Sequence, residues 1–462
     1  MLETIKNCFK NKEIRKKIFI TLGLILIFRL GCYIPVPAID VETFKTAIAG
    51  QSFLSIMSAI SGGSLQSATL FALGISPYIN ASIIIQLLSV GIPALERLSK
   101  QGEEGRRKIA QITRIITIVL AVAQAIGIIV NFGLQGNAID LAFFGFTVDN
   151  PVVSEVGAKW LAGIFLTVIY TAGAMIVMWL GERITEYGVS NGISIIIFIG
   201  IISTAGEQLI AKFSQSFGWG EYAGQGNLTY LWEIAGFIVL TVFEFAAICA
   251  VDLSERRIPV QYAKQVKGRK MYGGQSSIIP LRISGSGVMP LIFAFAIISV
   301  PSMLASLFWP GSGFELGVRQ WFSGGGEGAT WYGQLIYMIV LCALIFLFSF
   351  FYASMQFNPD DVSKTIQQNG GFIQGIRPGT PTADYLKKIN NRITLFGAIY
   401  LTIVALIPSI LAVVLSSVGL PTDLISVFST TGILIVVSVA LELDKQLQSQ
   451  LMMKNYKKGF LK

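Results

Sequence analysis

Residues able to do covalent or metal chemistry are scarce in this chain of 462 residues. There is no histidine, which removes the commonest metal ligand and proton shuttle. The four cysteines, Cys8, Cys32, Cys249 and Cys342, are scattered without metal-ligand spacing and read as packing thiols. No G-x-x-x-x-G-K-[ST] loop offers to cradle a phosphate, and the clusters "GSG" at 285–287 and "GGG" at 324–326 read as turns. One acid, Glu244 of "TVFEFAAICAVD", lies inside an apolar run, where a carboxylate usually has a job or a proton. No paired catalytic set exists, so neither an enzyme nor a cofactor is expected. What remains is the chemistry of binding and passage.

Two kinds of residue carry it. The first are polar groups inside greasy runs. In "LFALGISPYINASIIIQLL", residues 70–88, Ser76, Asn80, Ser82 and Gln86 interrupt a stretch long enough to cross a membrane. Advancing about 100° per residue from Ser76 places them on one side, with Ile79 and Ile83 in the middle of that side. Phe71, Leu73, Tyr78, Ala81, Ile84, Ile85 and Leu88 fall on the other arc. Lipid cannot hydrogen-bond an amide, and leaving one unpaired in an apolar medium costs roughly 2–7 kcal/mol. The polar side therefore faces inward, toward other helices or a pathway. "YGVSNGISIIIFIGII" behaves alike: Ser190-Asn191-Gly192 is followed by Ile193 and Ile197, one turn apart.

The second kind are basic residues in two long connections, "DLSERRIPVQYAKQVKGRKMYGGQSSIIPLRIS" at 252–284 and "QFNPDDVSKTIQQNGGFIQGIRPGTPTADYLKKIN" at 356–391. Connections of such length are uncommon unless functional or disordered, and the regular apolar and aromatic positions in both argue against disorder. Two structured projections are expected. They either cap the helices or offer Arg256, Arg257, Lys264, Lys267, Arg269, Lys270 and Arg377 to a partner bearing acidic groups.

The elements that must position these residues follow from composition. Hydrophobic residues make up 53% of the chain and charged ones 13%, and the mean hydropathy is +0.66, as in a polytopic membrane protein. Ten runs approach the ~20 residues that a membrane helix needs. They lie near 18–34, 68–90, 112–131, 160–181, 190–206, 231–251, 285–308, 334–355, 392–415 and 423–441. Of the 35 Lys and Arg residues, 29 fall in the N-terminus, every second connection (with Arg392 at the edge of one) and the C-terminus, against 4 in the other connections, and Arg29 and Arg114 sit at helix ends. Basic residues are retained on the cytoplasmic side, so both termini are expected there. The net charge of +9 is thereby spread over six segments and needs no nucleic acid. The basic start and first run resemble a signal peptide, but no small-x-small cleavage site follows, and the run is expected to stay as an anchor.

The expected fold is thus an all-α membrane protein of ten transmembrane helices in two inverted halves of five. The N-terminal half would cover 1–206, an external linker 207–230, the C-terminal half 231–441 and a cytoplasmic tail 442–462. Residues 51–68, "QSFLSIMSAISGGSLQSA", are too short to cross and too greasy for an ordinary loop. They suit a half-helix tucked into the molecule, or an interfacial loop lying on the membrane. On topology alone, a channel and a secondary transporter both remain open.

The motifs "RLGCYIPVPAID", "FALGISPYINASIIIQLL", "GEEGRRKIAQITR", "MWLGERITEYGVSNGISIIIF", "RRIPVQYAKQVKGRKMYGGQSS" and "NGGFIQGIRPGTPTADYL", in this order, resemble the bacterial SecY family over nearly the whole chain. The resemblance implies a protein-conducting channel of the cytoplasmic (inner) membrane, with no catalysis or cofactor of its own. It would pass unfolded precursors across and release hydrophobic segments sideways into lipid. It also implies an apolar pore ring at Ile79, Ile83, Ile193, Ile197, Ile292 and Ile435, and a plug at about 53–66. A lateral gate would lie between spans two and three and spans seven and eight, with Asn80, Gln86 and Gln124 as its polar residues. The two basic loops would dock the motor ATPase SecA and the ribosome, whereas SecE and SecG would be small membrane partners and signal peptides ligands. The chain departs from the family at "SSIIPLR", where a histidine often stands. Physically, an apolar constriction dewets and blocks ions yet offers a passing chain nothing to stick to.

Overall fold

A computed structural model describes residues 9–49, 58, 61–130, 139, 155–219, 229–262, 265–267, 270–272, 276–283, 287, 289–309, 312–322, 331–417 and 430–460. The first helix, α1 (Lys12–Gly31), opens on Asn11, whose side chain accepts a hydrogen bond from the Glu13 amide. A short α2 (Val41–Ala49) follows. The second apolar run is not helical from residue 68 as expected. Residues 61–75 are mostly turn, Gly74 takes φ +54°, and α3 (Ser76–Gly91) begins with Pro77 in its first turn, where a missing N–H costs nothing. Ala68, Phe71, Ala72, Leu73 and Ile75 are all buried. Their greasiness reports protein interior rather than membrane helix, so hydropathy alone misplaced the boundary. After α3 the chain bends by 106° into α4 (Pro93–Lys100).

Four long helices come next: α5 (Gly102–Ile128), α6 (Glu155–Tyr187), α7 (Gly192–Phe217) and α8 (Thr229–Asp252). A tight turn joins α6 to α7, and Asn191 caps α7 by accepting from the Ile193 amide at 3.1 Å. A side chain on Gly192 would run into the Gly181 carbonyl and come within 2.7 Å of Ile184 Cβ. Glycine there is what lets the two helices cross so closely. The described part of the second half contains α9 (Met289–Phe308), α10 (Gly313–Phe322), α11 (Trp331–Gln356), α12 (Pro359–Gln368), α13 (Thr380–Ser417) and α14 (Thr430–Phe460). Among the described residues, six helices are each long and apolar enough to cross a membrane, and α3 with α4 would make a seventh through the bend.

The all-α expectation gives way in the two long connections. The first supplies β1 (Glu255–Tyr262), β2 (Gln265–Lys267), β3 (Lys270–Tyr272) and β4 (Ser276–Arg282), and the second supplies β5 (Gly371–Ile373). Both β4 and β5 pair antiparallel with β1, giving a three-stranded sheet in the order β4-β1-β5, while β2 and β3 pair with each other. What the sequence suggested as two projections is therefore one module. Ile258 and Val260 alternate inward along β1 and pack with Leu281, Ile366, Ile373 and Leu386. Pro259 is tolerated in the central strand because β5 pairs only from Val260 onward.

The helices meet in a definite order. In the first half α3 packs on α5, α5 on α6, and α6 on α7, with α1 against α6 and α7. In the second, α9 packs on α11, α11 on α13, and α14 on both α8 and α13. Among the described residues the halves touch most extensively along two seams. One joins α7 to α8 and α14; the other joins α5 to α9.

Candidate functional site

All six isoleucines singled out in the sequence lie in one apolar cluster at the centre of the helices. Ile83 from α3, Ile197 from α7 and Ile435 from α14 are buried within it. Ile79, Ile193 and, from α9, Ile292 are partly buried and pack against it. Four helices from both halves thus contribute. Phe293 adds an edge-to-face contact with Phe348 of α11 at 5.8 Å between ring centres. Such a cluster excludes water and ions without fixed charge or directional bonds.

The polar residues beside it behave less simply. On α3, Asn80, Ser82 and Gln86 are all half-buried. Gln86 Nε2 donates to Ser82 Oγ at 3.3 Å, one turn back on the same helix rather than across to another. The opposite arc of the wheel is divided: Ile84 and Leu88 are exposed, whereas Ala81 and Ile85 are buried. Phe71 and Leu73 precede the helix and have no place on the wheel. α3 is therefore covered on two sides, leaving a lipid-accessible strip between them. Gln124 is buried on α5, the helix that packs on α3 and reaches α9 at the second seam.

The basic residues divide by location. Arg256 and Arg257 are exposed at the start of β1, Arg257 Nε being paired with Glu255 Oε1 at 2.7 Å. Arg377 is exposed in the turn between β5 and α13. Strand pairing thus brings both loops' arginines onto one module. Lys267 of β2 and Lys270 of β3 are paired in the strand register, while Lys264 and Arg269 lie outside the described residues. Of the 53–66 segment, residues 58 and 61–66 are described, and 61–66 is turn rather than half-helix. Among the described residues no group of three His, Cys, Asp or Glu side chains could hold a metal ion.

Sequence reasoning missed a polar site around Arg29, which it had treated only as a helix-end charge. Arg29 Nη2 donates to Ser203 Oγ and lies 3.3 Å from Glu207 Oε1, both on α7. Its Nη1 reaches the Gly62 carbonyl at 3.4 Å. Tyr33 Oη donates to the same Glu207 oxygen at 2.9 Å, and its ring lies 5.6 Å from the guanidinium. Glu207 is half exposed, so the ion pair alone is worth no more than ~1 kcal/mol. What the site supplies is direction, because one planar guanidinium ties three chain segments together. The available signal was an arginine at the end of an apolar run with no acid nearby in sequence. Elsewhere, Arg114 on α5 pairs with Glu182 on α6 at 2.7 Å. Ser438 Oγ on α14 donates to Asp252 on α8 at 2.7 Å. Glu244 is buried on α8, within electrostatic reach of Tyr400 on α13.

With this geometry in view, the comparisons with known proteins are informative. The SecY family model matches residues 69–443. The protein translocase subunit SecY of Streptomyces galbus is 38% identical over 468 residues, covering 100% of both chains. That of Mycobacterium tuberculosis strain H37Rv is 37% identical over 475 residues, again covering 100% of both. The fold is similar to that of a solved protein-conducting channel, with a TM-score of 0.62 and 20% identity over 94% of this chain and 92% of the other. It is also similar to a canine channel in a ribosome complex from the endoplasmic reticulum, with a TM-score of 0.59 and 19% identity over the same shares. On its own matching residues and its full-length relatives, the chain belongs to the SecY family of protein translocase subunits.

Proposed function

We propose that this chain forms a protein-conducting channel that passes unfolded polypeptides across the bacterial cytoplasmic membrane and releases hydrophobic segments sideways into lipid. The observation that carries the reading is the convergence of Ile79, Ile83, Ile193, Ile197, Ile292 and Ile435, from four helices of both halves, into one apolar cluster. Such a ring seals the resting pathway by excluding water, yet binds no side chain specifically. Ten spans complete the architecture, in halves 1–206 and 231–441 joined by the 207–230 linker. The basic asymmetry places both termini and the 442–462 tail in the cytoplasm. Segment 53–66 acts as the plug on the far side of the ring.

The seam between α5 and α9 is the lateral gate, with α3 and α11 beside it and Asn80, Gln86 and Gln124 as its polar groups. Interior amides suit a gate, because the bonds they make in one arrangement can be remade in another. The sheet module faces the cytoplasm and docks the driving machinery through Arg256, Arg257, Lys264, Lys267, Arg269, Lys270 and Arg377. SecA and the ribosome are the expected drivers, the latter favoured by the ribosome-bound channel among the structural neighbours. SecE and SecG are the expected membrane partners, and signal peptides enter at the gate. A transporter is disfavoured, since the family model and the full-length relatives are those of a protein translocase subunit.

The test is reconstitution of the chain with SecE, SecG and SecA in vesicles, followed by addition of an unfolded secretory precursor. ATP-dependent protection of the precursor from external protease is expected. Uptake of a small solute without precursor protection would overturn the reading.

A further inference from the structure

The strongest feature outside the ring and the docking module is the polar site at Arg29. It joins the end of α1, the turn at 61–66 and the middle of α7. Within that turn Gly62 and Gly63 adopt φ +73° and +82°, so the backbone itself is committed to this path. A side chain on Gly62 would strike the Arg29 guanidinium and lie 3.2 Å from Gly200 Cα on α7. One on Gly63 would lie 3.4 Å from Glu207 Oε2. The turn is therefore seated directly on the ion pair, and Ser61, Ser64 and Leu65 behind it are buried. The Cys32 thiol, at the end of α1, lies 3.9 Å from the Ser61 carbonyl.

Fastenings of this kind differ from those around them. Ser61 Oγ donates to the Ser58 carbonyl, Ser64 Oγ to the Ser61 carbonyl and Thr69 Oγ to the Ser64 carbonyl, all within 58–69. Arg29 is what reaches across to α7, and α7 carries Ile193 and Ile197 of the central cluster two to three turns earlier. A half-exposed ion pair is weak enough to break yet directional enough to define one seat. That combination suits a part that must leave its place and return.

We propose that Arg29 and Glu207 form a latch that seats the 61–66 turn against α7 in the resting channel and must open for a polypeptide to pass. Arg29 is the positioning residue, with Ser203 and Tyr33 orienting the pair. The inference rests on the channel reading above and adds to it the group that holds the plug-side segment closed.

The test uses the full chain reconstituted with its partner subunits. Arg29→Gln and Glu207→Gln should each raise resting ion conductance about five-fold, the shift expected from losing one half-exposed ion pair. The double variant should be no leakier than the leakier single one, as coupled residues require. Ser61→Cys gives a second readout, because oxidation can join it to native Cys32 and fix the turn to α1. Precursor translocation should then stop and should return on reduction.

Unchanged conductance in Arg29→Gln would overturn the latch, provided that Ile79→Asn with Ile83→Asn does leak. If neither leaks, the channel reading beneath it fails instead. Full translocation by the oxidised Ser61→Cys protein would overturn the latch even where the charge variants fold poorly. So would failure of the disulfide to form in the resting protein.

Discussion

Two stretches of α7 meet the rest of the molecule in opposite ways. Its first turns contribute Ile193 and Ile197 to the central cluster, where contacts are apolar and without direction. Six and ten residues beyond Ile197, about 9 and 15 Å along the axis, Ser203 and Glu207 bind Arg29 through hydrogen bonds and an ion pair. Gly200 lies between, its Cα 3.2 Å from where a Cβ on Gly62 would sit. A seal for arbitrary sequences needs surfaces that tolerate any shape, whereas a part returning to one seat needs bonds satisfied in one geometry. On the proposed reading, this helix would separate closure from positioning along its length.

Replacing Ile79 and Ile83 together by Asn breaks the first half of that contrast and should have the largest effect. Polar groups would wet the constriction, and resting ion conductance in vesicles or planar bilayers should rise by an order of magnitude or more. Next in size, Leu386→Ala removes a fully buried side chain joining α13 to the sheet. A cost of ~2–5 kcal/mol is expected. It should appear as faster proteolysis within 252–284 and 356–391 and as weaker motor-driven translocation, without a leak. The two variants together separate the seal from the docking module.

Arg377→Glu acts on an exposed side chain and should leave folding unchanged. Motor affinity should fall several-fold, measured by binding of the motor to reconstituted vesicles as a function of salt. The smallest effect concerns Asp40, which caps α2 by accepting from the Glu42 amide at 3.2 Å and from the Thr43 hydroxyl. The Thr43 bond holds its carboxyl below the usual value. Because its folded pKa is depressed, its contribution is present above the ordinary carboxylate pKa. That contribution is lost as pH falls through the lower folded value. Amide protection factors in 41–49, corrected for the intrinsic pH dependence of exchange, should therefore fall at acid pH, and Asp40→Asn should abolish that fall.

Much of this was legible in the sequence, and the failures share a cause. Apolar runs located the long helices, because a membrane helix is written in local composition. The isoleucines stood out because their polar neighbours marked an inward face. The start of α3 was misplaced by eight residues because Phe71, Ala72 and Leu73 are as greasy in a buried turn as in a helix. The union of both loops in one sheet was invisible because β1 and β5 pair across more than a hundred residues. Arg29 and Glu207 are 178 residues apart, and only the fold brings such charges together. Local pattern reports burial well; it does not report which buried or charged groups become neighbours.

On the proposed reading a moving polypeptide passes through the isoleucine cluster. That passage is tested most directly by arresting a precursor midway in reconstituted channels carrying a photo-crosslinking side chain at one chosen position. Probes at Ile83 and Ile197 should capture the arrested chain, and probes at the exposed Ile84 of α3 and Val239 of α8 should capture lipid instead. Equal capture at all four positions, or capture at Ile84 and Val239 alone, would contradict the account.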